Sequence, residues 1–235
     1  MLTLRRSGDR GHADHGWLDT RHTFSFADYQ DPAWTRFRSL RVLNEDRVKP
    51  DHGFGTHAHR EMEIVTLVVS GTLAHEDSTG GRGKLTRGGV QAMTAGTGLT
   101  HSEFNPSTDE PVHFLQIWLL PEANGIQPGY EQQHFAPKQM QNQLRLIGSR
   151  DGRDGSITIH QDVNLYAAKL ASGQQLNYSS EGNRATWLQI ARGSIDLNGQ
   201  PLTAGDGAAI TDSEALLRIT GTSGDAELLL FDMAA

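Results

Sequence analysis

No cysteine occurs in the 235 residues. That absence excludes disulfides, thiolate metal ligands and a cysteine nucleophile. No apolar run approaches the ~20 residues of a membrane span. The opening MLTLRRSGDRGH carries charge with no apolar core behind it, which is not the pattern of a secretory leader. These absences predict a cytoplasmic protein with no membrane partner. Basic residues are outnumbered, 21 Lys and Arg against 28 Asp and Glu, for a net charge of −7. A broad nucleic-acid footprint needs a basic face, so no direct nucleic-acid contact is expected. No apolar stripe marks an oligomer interface, and a monomer is the expectation.

Helix signals are also sparse. Glycine is not: 26 are spread along the chain. They bound short β-like runs at residues 40–44, 61–69, 72–76, 90–94, 113–120, 156–161, 165–170, 186–191, 194–197, 208–211, 216–220 and 226–231. Many short strands predict an all-β sandwich or barrel. Two stretches repeat one another. VSGTLAHEDSTGGRGKLTRGGVQAMT and ARGSIDLNGQPLTAGDGAAIT each place a glycine (Gly71, Gly193) between strands. Each continues with Leu-Thr-x-Gly (Leu85–Gly88, Leu202–Gly205) and ends in a small-residue strand closing on Thr94 or Thr211. Such self-similarity predicts two copies of one β unit. Between them PEANGIQPGYEQQHFAPKQ, with three prolines and two glycines, reads as a connection.

Eleven histidines are present, most of them in the first half. In FGTHAHREMEIVTLVVSG, His57 and His59 share one face if the segment is a strand, because side chains alternate with period two. In GTGLTHSEFN, His101 and Glu103 repeat that spacing. Two strands that each present such a pair can close around one ion. Three imidazoles and one carboxylate suit Fe, Ni, Cu, Co, Mn or Zn. On an octahedral metal, four protein ligands leave two positions open for chemistry. Glu63 has the same parity as Glu103, so periodicity does not choose between the two carboxylates.

These residues resemble the cupin pattern. His57, His59, Glu63 and Gly71 fit one cupin motif, and Gly98, His101 and Asn105 fit the other. Gly96 stands where a proline is usual, and Gly71 lies one place late. HGWLDTRHTFSFADYQDP, GFGTHAHREMEIVTLVVSGTLAHEDSTG and QAMTAGTGLTHSEFNPS narrow the resemblance to the pirin family, in its bacterial subgroup of quercetin 2,3-dioxygenases. RDGSITIHQDVNLYAAKL is similar to the opening of that subgroup's second cupin domain. The resemblance implies a bicupin, two tandem jelly-roll β-barrels. Residues 1–125 would form the metal-binding domain, 126–139 the linker, and 140–235 a cupin domain without metal ligands. It implies His57, His59, His101 and Glu103 as ligands of one divalent metal, iron first among the candidates. Glu103 doubles as the catalytic base, and Glu63 supports the site by holding an imidazole N–H. In the second copy, aligning Thr94 with Thr211 puts Arg218 and Thr220 at the places of His101 and Glu103. The offset from Gly71 to Gly193 puts Ser179 and Glu181 at those of His57 and His59. For His160 a satisfied polar contact is expected.

The activity implied is O2-dependent opening of a flavonol ring with release of carbon monoxide, so a flavonol and O2 are the expected partners. The same resemblance carries two other readings: a metal-gated regulatory partner protein of the pirin type, or a cupin enzyme with another small-molecule substrate. Phe54, Met93, Phe114 and Trp118 are candidates for apolar walls, with ordinary core as the competing role. Parity separates His113 from Gln116 and Trp118. His12, His15, Trp17 and His22 in the early segment are placed to cover or line the mouth of the site.

Overall fold

The computed structural model describes residues 1–211 and 216–234. In chain order the strands are β1 (Leu2–Arg5), β2 (Gly11–Asp14), β3 (Leu18–His22), β4 (Leu40–Val48), β5 (Gly53–His59), β6 (Glu63–Ser70), β7 (Thr72–Asp77), β8 (Arg82–Thr86), β9 (Gly89–Thr94), β10 (Leu99–Phe104), β11 (Val112–Leu119) and β12 (Gly129–His134). After the one-turn helix α1 (Pro137–Met140) come β13 (Arg145–Ser149), β14 (Ile157–Thr158), β15 (Val163–Leu170), β16 (Gln175–Tyr178), β17 (Arg184–Arg192), β18 (Ser194–Leu197), β19 (Gln200–Thr203), β20 (Gly207–Ile210), β21 (Leu217–Gly221) and β22 (Ala226–Ala234). Among the described residues no helix is long and apolar enough to cross a membrane.

Two compact units result. The first holds Gly11–His134 with Ile157–Gln161; the second holds Met1–Arg10, Phe135–Ser156 and the chain from Asp162 onward. In the first unit one sheet runs β12-β9-β6-β11-β4-β3-β2 and the other β5-β10-β7-β8. In the second, one sheet runs β1-β20-β17-β22-β15-β13 and the other β16-β21-β18-β19. The first six places of the two large sheets and all four of the small ones correspond in order, so the expected duplication is present. Both turns anticipated at its hinge glycines need positive φ, +77° at Gly71 and +67° at Gly193, where glycine carries no Cβ penalty. Leu18, Val48, Val68, Leu73, Leu85, Val112 and Phe114 pack together inside the first unit. Each such buried side chain contributes roughly 1.5–3 kcal/mol.

The expected boundaries need correction. Residues 126–139 are not a free linker: Gly129–His134 pairs along β9 in six consecutive registers. Its polar run, YEQQH, is exposed from Glu131 to His134, which suits an edge strand. Residues 1–10 belong with the second unit, where β1 pairs with β20 and so takes the place that β12 takes beside β9. The strand expected at 156–161 is two residues long.

The second copy also departs from the expected alignment. His75 lies opposite Glu103 on β10, and Leu197 opposite Ile219 on β21. Leu217 and Ile219, both buried, therefore take the inward places of His101 and Glu103. Arg218 and Thr220 are their outward neighbours. Leu217 and Ile219 belong to a core of Ile195, Leu197, Leu202 and Leu228, against which Leu176 and Tyr178 pack. A one-residue change of register exchanges the faces of a strand, which is why counting from Thr211 selects the wrong side.

Candidate metal centre

Three neighbouring strands of the first unit carry side-chain pairs at i, i+2 spacing. β10 lies between β5 and β7, with His101 opposite His57 on one side and Asp77 on the other. Glu103 lies opposite His75. The strands thus bring His57 and His59, His101 and Glu103, and His75 and Asp77 into one patch. The ladder to β5 slips between His101 and Glu103, so that Glu103 faces Phe54. Such a bulge re-aims side chains. Here it brings Phe54 onto the cavity side with the two histidines, against simple parity.

Ligand atoms of His57, His59 and His101 all lie within 4.8 Å of one another. Those of His75, His101 and Glu103 form a second such group. Glu103 therefore joins the cluster through His101 rather than as a fourth member of the tight trio. The Nε2 atoms of His57 and His101 are 3.0 Å apart. Two nitrogens bound at right angles to one ion at ~2.1 Å would be separated by about 3.0 Å. His57 Nδ1 donates to the Gly55 carbonyl at 2.8 Å, leaving Nε2 as the lone-pair nitrogen. Burial, then the charge of His57, lowers His59 to about 4. Burial and the charges of His57, His59 and His75 lower His101 to about 3. Both rings are neutral near pH 7, as metal ligands must be. The donor set fits one transition-metal ion.

Glu103 is buried and held on both oxygens. Oε1 accepts from Gln91 Nε2 at 2.7 Å and Thr66 Oγ1 at 3.3 Å; Oε2 accepts from Gln116 Nε2 at 2.7 Å. Burial, then the charge of Asp46, pushes its carboxyl up to about 7 against these donors. Asp46 is itself raised to about 7 by burial and by Glu45 and Asp19, while a hydrogen bond from Thr20 opposes the rise. Glu63 has a different job from the expected one. Its Oε2 accepts from Thr94 Oγ1 at 3.0 Å and from the His160 backbone N–H at 3.1 Å, and it faces His160 Nδ1 at 3.3 Å. The imidazole it touches is not that of a candidate ligand. β6 lies in the other sheet, so shared parity with β5 carries no information about contact. His160 has the satisfied polar contact expected of it.

Beside the cluster lies a cavity of about 150 Å³, lined by His57, His59, Glu103, Gln116, Trp118, Phe54, Phe26, Leu18, Thr20, His15, His22, Asn44 and Asp46 among others. Trp118 meets His59 edge-on at 4.9 Å and Phe26 at 5.4 Å. Of the proposed apolar walls, Phe54 and Trp118 line this space. Met93 packs with Ile64 and Leu99, and Phe114 with Leu18 and Val48; both are core. Gln116 lines the cavity, while His113 turns to Glu45 at 3.0 Å, as parity requires. From the early segment His15 and His22 reach the cavity. His12 approaches Asp19, and Trp17 packs edge-on against Phe54. The sequence reading left out His75, Asp77, Gln91 and Asp46. The first two repeat the i, i+2 signal within TLAHED; the others acquire meaning only once the strands are ordered.

The pirin family model matches residues 3–119, and the quercetinase C-terminal cupin domain matches 146–233. The chain belongs to the pirin family. It is similar along its whole length to curated proteins. It is 45% identical to an Escherichia coli K12 quercetin 2,3-dioxygenase over 233 residues, 99% of each chain. It is 41% identical to a putative quercetin 2,3-dioxygenase of Pseudomonas aeruginosa over 98% of its own length and 99% of that protein's. A nickel(II) complex of the E. coli pirin YhhW superposes with a TM-score of 0.93 at 45% identity, covering 100% of this chain and 99% of that one. The pirin fold found here is thus the expected all-β bicupin.

Proposed function

We propose that this pirin is a metal-dependent dioxygenase that opens the flavonol ring with O2 and releases carbon monoxide. The observation that carries the reading is the cavity shared by His57, His59, Glu103, Phe54 and Trp118. A protein that used its metal only to gate a partner has no need of an aromatic-walled cavity beside it. Its full-length similarity to proteins called quercetin 2,3-dioxygenases supports the same reading.

His57, His59, His101 and Glu103 would hold one divalent ion, with iron first and nickel, copper, cobalt, manganese and zinc as alternatives. When bound, the metal supplies Lewis acidity that lowers the pKa of a coordinated hydroxyl. The chain's own residues do the rest. Glu103 would accept the hydroxyl proton on a carboxylate oxygen as it loosens from the ion. Gln91 and Gln116 keep that carboxylate aimed while its proton comes and goes. Trp118, Phe54 and Phe26 offer flat apolar surface to a planar ring and keep water from it. The deprotonated flavonol is then electron-rich enough to react with O2.

The test is turnover. Protein loaded in turn with iron, nickel, copper, cobalt or manganese should consume a flavonol under O2 and release carbon monoxide with at least one of them. No loss of flavonol in any fully loaded sample would overturn the dioxygenase reading and favour the regulatory one.

A further inference from the structure

Behind His101, on the side away from His57, stands a second imidazole. His75 Nδ1 lies 3.5 Å from His101 Nδ1, and His75 Nε2 lies 2.9 Å from Asp77 Oδ2. The His75 and Asp77 side chains are fully buried, at 0% exposure each. The other Asp77 oxygen accepts from Thr79 N at 2.8 Å, Thr79 Oγ1 at 2.6 Å and Gly81 N at 3.1 Å. The Tyr130 ring stacks on His75 at 4.4 Å and 11°. Tyr130 Oη lies 2.9 Å from Gln132 Oε1 and 3.1 Å from Gln91 Oε1, and Gln91 holds Glu103.

One fact fixes the direction of the whole chain. An ionised carboxylate only accepts. Asp77 therefore takes the proton of His75 Nε2, which makes His75 Nδ1 the acceptor. His101 Nδ1 must then donate to it, and His101 Nε2 is left with its lone pair facing His57 Nε2. We infer that Asp77 and His75 form a relay that sets the tautomer of His101, presents its Nε2 to the metal and strengthens it as a ligand. His75 and Asp77 are positioning residues: they act through His101. This role rests on His101 being a ligand, but not on the identity of the substrate. A carboxylate or imidazole behind a ligating histidine typically changes metal affinity by about 10–100-fold.

The test is metal binding. Nickel(II) affinity is measured against a competing chelator for wild type, Asp77→Asn, His75→Gln and His75→Leu, with apo-protein melting temperatures alongside. Asparagine can still accept from His75 but carries no charge, and glutamine can accept from His101 while donating to Asp77. Leucine does neither. The relay predicts affinity falling in the order wild type, then Asp77→Asn and His75→Gln, then His75→Leu, with about 10–100-fold across the series. It also predicts that the visible bands of cobalt(II)-loaded Asp77→Asn shift from those of wild type, which a change in folding stability alone would not produce. If His75→Leu folds poorly, Asp77→Asn and His75→Gln carry the comparison. Wild-type nickel affinity and unchanged cobalt bands in folded Asp77→Asn and His75→Gln overturn the relay. A wild-type protein that binds neither ion overturns the metal-site reading itself, and the relay with it.

Discussion

At the residue scale, the roles of two glutamates separate cleanly. Glu63→Ala should leave metal content unchanged, because Glu63 serves Thr94 and His160. It should cost about 1–3 kcal/mol in urea unfolding, since those donors lose their acceptor. His101→Ala and Glu103→Ala should each weaken metal binding, read as a lower affinity in equilibrium dialysis. A pH effect follows from burial. In the metal-free protein Glu103 has its pKa raised from 4.5 to about 7, so between these values the folded state holds a proton that the unfolded state has released. Its contribution to stability therefore falls as pH rises through that window. Glu103→Gln should stabilise the apo protein little at pH 4.5, and by on the order of 2–3 kcal/mol above pH 7. The histidine pairs are legible in the sequence because i, i+2 spacing implies a shared face. The choice of Glu103 over Glu63 is not, since parity says which face a residue takes but not which strand lies opposite. The same gap hides His75 and Asp77.

At the element scale, the close approach of β5 to β10 decides the site. A Cβ on Gly53 would lie 2.2 Å from the Glu103 carbonyl oxygen and 2.6 Å from Phe104 Cα, both backbone atoms. Gly53→Ala should pry the strands apart, cost about 1–3 kcal/mol and weaken metal binding. Gly55→Ala, which meets nothing within 4 Å, should do neither. Chelator competition on the two variants makes the comparison. Strands with long apolar stretches, such as β6, β11 and β17, are visible in sequence. β12 is not, because an edge strand with polar residues on its open face looks like a connection. The bulge between His101 and Glu103 is equally silent: one extra residue on β5 changes no composition, yet it decides that Phe54 faces the cavity.

At the scale of the whole molecule, the two copies show what duplication kept and what it released. Hinge glycines and strand order are shared, while the inward positions of β10 and β21 hold His101 and Glu103 in one unit and Leu217 and Ile219 in the other. The glycines make the duplication legible. Short strands pairing across nearly the full chain length do not announce themselves, and β1 is one of them. It pairs with β20, and the Ser7 backbone N–H adds a 2.7 Å bond to Asp206. Deleting residues 1–10 should lower the melting temperature and expose the β20 edge to association, seen as aggregation in sedimentation.

The central claim is that three histidines and one carboxylate on β5 and β10 bind a single ion. X-ray absorption of nickel-loaded protein tests it most directly. The account predicts one nickel per chain, multiple-scattering features of three imidazoles, and an oxygen shell that Glu103→Ala diminishes. A spectrum whose imidazole features survive unchanged in His101→Ala would contradict it.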